Sequence, residues 1–281
     1  MKKRGLSSRR NIKTNCESTM PNLTPALRQT YQRMFELTEI RPARAKAVDA
    51  WCDKILLQKS RYQTIAAALG IPWHFIAAVH MRESGLNFKK HLHNGDPLTA
   101  RTLQVPAGRP KTGSPPFTFE QSASDALIYE GLDKWQDWSL PGTLYKLEAY
   151  NGWGYHNRKL VSPYLWSFSQ HFERGKFIKD GVFDPKALDE QCGTATLLRR
   201  QSERQEIQFS GEPGLIGPPQ VAPYAAKKPK KPELIAAAMR LQEWLSSYPG
   251  ITLKIDGWPG QRTSNAYNAV TGRYLPGDPR L

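Results

Sequence analysis

The sequence has few cysteines and no cysteine pattern. Cys16, Cys52 and Cys192 are its three cysteines, and they stand far apart without forming a Cys-x-x-Cys pair. Disulfide frameworks need an even set of cysteines, and zinc ribbons need closely spaced pairs. We therefore expect neither a disulfide framework nor a zinc ribbon, and we expect synthesis in a reducing compartment.

Long apolar runs are absent as well. No stretch approaches the roughly 20 consecutive apolar residues that a membrane-spanning helix needs. The first residues are basic, but the apolar run of a signal peptide does not follow them. We expect a protein without a membrane span, made in the (host) cytoplasm without a signal peptide, that reaches any substrate beyond the membrane by another route.

Acidic residues are scarce relative to basic ones. The chain has 40 Lys and Arg against 25 Asp and Glu, which gives a formal charge of +15. Such a field attracts polyanions, and charge alone leaves nucleic acid, anionic lipid and bacterial wall polymers open. The basic residues are spread along the chain and no nucleic-acid-binding motif accompanies them. We therefore expect no specific nucleic-acid partner.

The patterns that are present indicate two domains of mainly α structure. Residues 1–22 are polar and basic without periodicity, which predicts a disordered tail. Apolar residues recur at helical spacing through 23–200, which predicts a helical domain. A Pro/Lys-rich linker is expected at 201–232 and a second, small domain at 233–281.

One helix of the first domain carries the main functional signal. Pro72 predicts its first turn and Gly85 its end. Ile76 and Val79 precede Glu83 by seven and four residues, so the carboxyl group shares a face with apolar side chains. Partial burial disfavours the charged form of a carboxyl group, which predicts a group that stays protonated near neutral pH and serves as a general acid.

Three short motifs follow one another around this helix. Met81–Gly85 reads Met-Arg-Glu-Ser-Gly, Arg101–Val105 reads Arg-Thr-Leu-Gln-Val, and Ala149–Gly154 reads Ala-Tyr-Asn-Gly-Trp-Gly. In this order the set resembles the goose-type lysozyme and lytic transglycosylase superfamily. The resemblance implies a lysozyme-like, α-helical catalytic domain that acts on peptidoglycan without a cofactor.

The resemblance also implies roles for individual residues. Glu83 matches the catalytic acid of the family, and Ser84 is the serine that follows it. Gln104 matches the glutamine that lines the cleft. Tyr150 and Asn151 match the pair that contacts substrate near the acid. We therefore expect Ser84, Gln104, Tyr150 and Asn151 to bind substrate.

A second carboxylate is expected from Asp96. It follows Glu83 by 13 residues in a long polar loop, as an acidic residue does in goose-type enzymes, where it would position the attacking water. Asp96 precedes Pro97, however, and can equally shape a turn. A lytic transglycosylase generally needs only the single Glu, because the 6-hydroxyl of the substrate attacks. Hydrolase and transglycosylase therefore both remain open.

The second domain carries a motif of its own. Ile255–Ala266 contains Asp-Gly-Trp-Pro-Gly-Gln-Arg-Thr-Ser-Asn-Ala, which resembles the signature of the peptidoglycan-binding domain family. The resemblance implies a small three-helix, wall-binding domain. Trp258, expected to be exposed, is the candidate platform on which a sugar ring stacks.

Each candidate also has a structural interpretation. An isolated Glu at a helix end is usually solvated, and Tyr150 can be a core aromatic. Asn151 with Gly152 can simply end a helix. His91 and His93 are close in sequence, but no carboxylate stands at ligand spacing, and we expect no metal site.

Together these patterns predict a peptidoglycan-degrading muramidase that cleaves the β-1,4 bond between N-acetylmuramic acid and N-acetylglucosamine. The combination of a wall-binding domain and cytoplasmic synthesis is typical of a phage endolysin. Bacterial peptidoglycan is the expected partner, and the expected state is a monomer. Besides the transglycosylase, a non-catalytic wall-binding protein that keeps the fold remains an alternative.

Overall fold

The computed structural model describes residues 21–179, 181–210, 221–246, 248 and 251–281. The chain divides into two compact units, with the boundary between Glu212 and Pro213. Nearly all of the tail predicted at 1–22 lies outside the described residues.

Nearly all regular elements of the first unit are helices, which confirms the mainly α prediction. Its strands form one two-stranded antiparallel sheet in the described part of the chain. The elements are α1 Pro25–Glu36, α2 Pro42–Leu57, α3 Lys59–Leu69, α4 Trp73–Ser84, α5 Phe119–Tyr129, α6 Leu140–Asn151, α7 Gly154–Asn157, α8 Pro163–Trp166, β1 Lys176–Lys179, β2 Val182–Asp184 and α9 Thr194–Glu203, with a 3-10 turn at Leu132–Lys134.

Local capping signals fix several helix ends. The Thr24 hydroxyl accepts a hydrogen bond from the backbone N–H of Leu27, and Pro25 occupies the first turn of α1. Thr118 and Gln121 form the predicted capping box at the start of α5. Gly85 ends α4 in the left-handed conformation, with φ of 63°. These ends depend on residues within one helical turn, which is why the sequence predicted them.

Helix α4 is the buried centre of the first unit. Every residue from His74 to Arg82 is buried. Helices α3, α6 and α9 pack around it. A helix that is enclosed on all sides holds its C-terminal residues in a fixed position, and Glu83 is one of them.

Membrane-crossing potential is low among the described helices. None of them, taken singly, is long and apolar enough to cross a membrane. Helices α3 and α4 are long and apolar enough when taken together, but the chain bends by 118° between them.

Two elements differ from the sequence predictions. The Thr118-Phe-Glu-Gln121 pattern predicts a helix through about Trp135, but α5 ends at Tyr129, because Gly131 adopts a left-handed φ of 67°. The hairpin of β1 and β2 lies in the stretch 163–198, where the sequence pattern predicts short helical pieces. Phe177 pairs with Phe183 across it, and this cross-strand pairing outweighs local helical preference.

The second unit contains two described helices, α10 Pro232–Ser246 and α11 Gln261–Thr271, where three helices were expected. Residues 251–260 form no helix in the described part. The side chain of Gln242 holds them instead: its oxygen accepts hydrogen bonds from the N–H groups of Asp256 and Gly257, and its nitrogen donates to the Trp258 carbonyl. A buried glutamine thus satisfies backbone groups that a third helix would have satisfied internally.

Several described residues of the linker predicted at 201–232 pack into one unit or the other. On the first unit, α9 extends to Glu203, and buried Phe209 packs edge-on against Phe35. On the second unit, buried Ala222 belongs to the core formed with α10 and α11. Apolar contacts at both ends therefore draw predicted linker residues into the two units.

Candidate active site

Glu83 lies in the last turn of α4 and is partly buried. The hydroxyl of Tyr164, at the second residue of α8, donates a hydrogen bond of 3.0 Å to Glu83 Oε1. Burial and then the negative charge of Glu83 raise the pKa of Tyr164 well above its ordinary value. The phenol therefore keeps its proton and orients the carboxyl group.

Tyr150 is the second aromatic neighbour of Glu83. It is buried in α6, and its hydroxyl donates to the Leu92 carbonyl at 3.4 Å. Burial, followed by the charge of Glu83, raises the pKa of Tyr150 well above its ordinary value. Tyr150 and Tyr164 also interact electrostatically with each other. The structure thus brings the carboxyl group and two phenols together.

The loop after α4 returns beside Glu83. A Cβ placed on Gly95 would lie 3.8 Å from the Glu83 carbonyl oxygen. Asp96, the next residue, uses its Oδ2 to accept hydrogen bonds from the backbone N–H groups of Leu103 (2.8 Å) and Gln104 (3.1 Å). The Asp96 carboxylate therefore braces the loop, as the turn-shaping interpretation predicts.

The remaining predicted site residues of the first unit occupy different settings. Gln104 is exposed, and its backbone is fixed by Asp96 and by Asn94, whose Nδ2 donates to the Gln104 carbonyl. The Ser84 hydroxyl donates to the His80 carbonyl one turn earlier in α4. Asn151 is the last residue of α6 and is partly exposed. Within the predicted set, the Asp96 carboxylate accepts a hydrogen bond from the Gln104 backbone, and the charge of Glu83 acts on Tyr150.

Trp258 belongs to the second unit. It is 42% exposed, and its indole Nε1 donates to the Ala225 carbonyl at 2.8 Å. Its carbonyl accepts from Gln242, and Gly260 lies close against the indole. The ring is thus held in a fixed orientation with part of its surface in solvent.

The sequence analysis did not identify Tyr164 or the ion pair of Arg82 and Asp189 beside it. Arg82, directly before Glu83, forms a buried salt bridge of 2.5 Å with Asp189, and its guanidinium lies 5.3 Å from the centre of the Tyr164 ring. The only local signal was a run of aromatic residues starting at Pro163. No periodicity links positions 82, 164 and 189, so the contact could not be read from spacing.

A second acidic group was also missed. Glu148 in α6 is buried, accepts a hydrogen bond from the Tyr31 hydroxyl, and lies 4.0 Å from His156 Nδ1. Burial raises the pKa of Glu148 to about 7, although the Tyr31 hydrogen bond acts in the opposite direction. It is therefore a carboxyl group that titrates near neutral pH inside the fold.

The histidines near the site serve structural contacts. His91 Nδ1 and Nε2 lie within hydrogen-bond distance of the Ser122 hydroxyl and the Ala100 carbonyl. His93 pairs with Asp125, which Arg109 also binds with two hydrogen bonds. Among the described residues, no group of three His, Cys, Asp or Glu side chains is arranged to hold a metal ion.

Comparisons of this chain with protein-family models, with curated proteins and with solved structures give no match. The geometry of the site is therefore the basis for its chemistry. That geometry is a carboxyl group at the end of a buried helix, held by one phenol and lying close to a second.

Proposed function

We propose that the protein is a peptidoglycan-degrading glycosidase that cleaves the β-1,4 bond between N-acetylmuramic acid and N-acetylglucosamine, with Glu83 as the general acid. The observation that carries the proposal is the hydrogen bond from Tyr164 to Glu83 Oε1 at the end of buried α4. It supports the role because a general acid needs a fixed orientation and an environment of low polarity. The ordered motifs around Glu83 specify the substrate class.

In the proposed reaction, Glu83 donates its proton to the oxygen of the glycosidic bond as that bond breaks. Positive charge develops on the sugar ring, and the resulting carboxylate lies close enough to favour it. Tyr164 stays protonated and continues to donate to the carboxylate, which limits its movement between the two steps. The carboxylate then accepts a proton from the attacking group.

The attacking group distinguishes a muramidase from a lytic transglycosylase. In the first, water attacks and leaves a reducing end; in the second, the 6-hydroxyl of the muramic acid attacks and leaves an anhydro end. We favour the muramidase. The direct test is digestion of purified walls followed by mass spectrometry of the released fragments: reducing ends support hydrolysis, whereas 1,6-anhydro ends establish the transglycosylase.

A variant at Asp96 tests whether the reaction needs a second carboxylate. We expect Asp96→Asn to retain wall-degrading activity within about 3-fold, because an amide oxygen can still accept the hydrogen bonds from Leu103 and Gln104 at a cost of about 1 kcal/mol or less. Initial rates of wall clearing measure this. A loss of about 100-fold with unchanged melting temperature would instead assign Asp96 to positioning water.

The second unit is proposed to bind the wall and to raise the local concentration of the catalytic unit. Trp258 is the proposed contact, because its indole is held in place and 42% exposed. We expect Trp258→Ala to weaken wall binding about 10-fold, a change of about 1.4 kcal/mol. Pull-down on purified walls measures this loss of binding.

Met239→Ala is the control, because Met239 is similarly exposed at 37% but offers no ring for stacking. An equal loss of wall binding in both variants would contradict the role of Trp258.

The rival outside the enzyme class is a wall-binding protein without activity. It predicts pull-down by walls but no fragment release, by wild type or by Glu83→Gln. Fragment release by the wild type that is lost in Glu83→Gln excludes this rival.

A further inference from the structure

Arg82 makes an unusual set of contacts for a residue next to a proposed catalytic acid. Its side chain is 8% exposed, and both terminal nitrogens point at Asp189, whose side chain is 2% exposed. The guanidinium also donates to the carbonyls of Gln191 (3.2 Å) and Cys192 (3.3 Å). Burying a charged pair generally costs free energy that apolar side chains would not cost, so stability alone does not explain its presence.

The pair is ionised despite its burial. Burial opposes ionisation of Asp189, but the charge of Arg82 and its hydrogen bonds outweigh it and hold the pKa of Asp189 below its ordinary value. The Lys176 ammonium, 3.9 Å away, adds to this effect. The segment from Asp189 to Cys192 is therefore tied by charge to the end of α4.

The two residues that follow this segment, Gly193 and Thr194, fix the backbone of α8, which carries Tyr164. The Thr194 hydroxyl donates to the Tyr164 carbonyl at 3.1 Å, and the Gly193 N–H donates to the Ser167 carbonyl at 3.0 Å. Gly193 approaches so closely that a Cβ there would lie 2.2 Å from the Leu165 carbonyl oxygen. Arg82 completes the connection directly, because its guanidinium covers the Tyr164 ring.

We propose that Arg82, through its ion pair with Asp189 and its contact with the Tyr164 ring, is a positioning residue that holds the Tyr164 hydroxyl on the Glu83 carboxyl group. The inference rests on the proposed function for its catalytic consequence. The geometric part stands independently, because the ionisation of Glu83 reports the Tyr164 hydrogen bond whether or not the protein cleaves walls.

The test follows the titration of the Glu83 carboxyl group by 13C NMR, assigned by its loss in Glu83→Gln. Tyr164→Phe removes a hydrogen bond to the carboxylate, so the midpoint should move to higher pH by about one unit. Arg82→Lys keeps the positive charge but loses the planar fork, and should move the midpoint in the same direction. The double variant should titrate like Tyr164→Phe alone, because both changes remove one interaction.

The matched control is Arg200→Lys, because Arg200 makes a similar two-point pair with Asp49, at 2.6 and 2.9 Å. It should leave the Glu83 midpoint unchanged. If Arg82→Lys does not fold, Asp189→Asn gives the same comparison. Loss of the Asp189 negative charge by itself would lower the midpoint of the Glu83 titration. A rise of that midpoint in Asp189→Asn would therefore still report displacement of Tyr164. An unchanged midpoint in Arg82→Lys, or a shift that persists in full in the Tyr164→Phe background, overturns the proposal.

Kinetics on purified walls provide the second readout. Arg82→Lys should lower kcat about 10-fold while KM stays within about 2-fold, because the acid is misplaced but the binding surface is unchanged. If the wild type releases no fragments, the proposed function fails, and the titration still decides the positioning role. If the wild type is active but Arg82→Lys matches Arg200→Lys in kcat, the positioning role fails alone.

Discussion

Glu83→Gln is expected to lower kcat for wall degradation by about 1,000-fold, the magnitude typical of losing a general acid. Glutamine has nearly the same shape, and its amide oxygen can still accept the hydrogen bond from Tyr164. It has no acidic proton to give to the leaving oxygen. Pull-down by walls and the melting temperature should therefore stay at wild-type values while fragment release is lost.

The control for this variant is Glu120→Gln. Glu120 is also a partly buried helical glutamate, but its Oε1 binds Arg61 at 2.6 Å on another part of the unit. It should retain wild-type kcat. The assignment of Glu83 as the acid is wrong if Glu83→Gln clears walls at a rate comparable to Glu120→Gln.

Glu148→Gln is expected to raise the free energy of unfolding at pH 8 by about 2 to 3 kcal/mol relative to its effect at pH 5. The pKa of Glu148 is about 7 in the fold, against an ordinary value of 4.5 for glutamate. Between these two values the folded state holds a proton that the unfolded state has released. The Glu148 contribution to stability therefore falls as pH rises from 4.5 to 7, and stays low above that range.

The effect of Glu148 is isolated by comparing wild type and Glu148→Gln at each pH and then comparing the two differences. Burial also lowers the pKa of His74 and of His80 to about 4. These two groups make wild-type stability fall as pH decreases from about 6.5 toward 4, which is opposite to the Glu148 effect. Both proteins contain them, so they cancel when the variant is subtracted from the wild type at each pH.

The measurement is urea unfolding of wild type and Glu148→Gln at pH 5 and pH 8. At pH 5 the native carboxyl is largely neutral, so the difference there reports only the change from carboxyl to amide. At pH 8 the variant should gain about 2 to 3 kcal/mol relative to that difference. An equal difference at both pH values would contradict the raised pKa of Glu148.

Part of the candidate site could be predicted because its signals are local. Apolar residues one and two turns before Glu83 placed it at the end of a buried helix, and Gly85 marked that end. The position of Tyr150 near the acid came from motif order, and in the structure the charge of Glu83 adds to the burial that raises the pKa of Tyr150. For Asp96, spacing and loop composition left two roles open, and the hydrogen bonds to Leu103 and Gln104 favour the structural one.

Element type and helix ends were predicted wrongly where the local pattern was compatible with more than one structure. Helix α5 stops at a left-handed glycine that the pattern would have allowed as a helical position. The hairpin of β1 and β2 forms because Phe177 and Phe183 pair, and neither strand has an alternation long enough to predict it alone. In the second unit, Gln242 holds a non-helical turn from 14 residues away, where a third helix was expected.

By itself, the sequence determined the mainly α class, several helix ends and the position of Glu83, because caps and helical periodicity act over a few neighbouring residues. Only the tertiary structure decided what surrounds the carboxyl group. Tyr164 reaches Glu83 across 81 positions, and Asp189 reaches Arg82 across 107. Contacts of that range depend on how the helices pack around α4, and no local pattern encodes them.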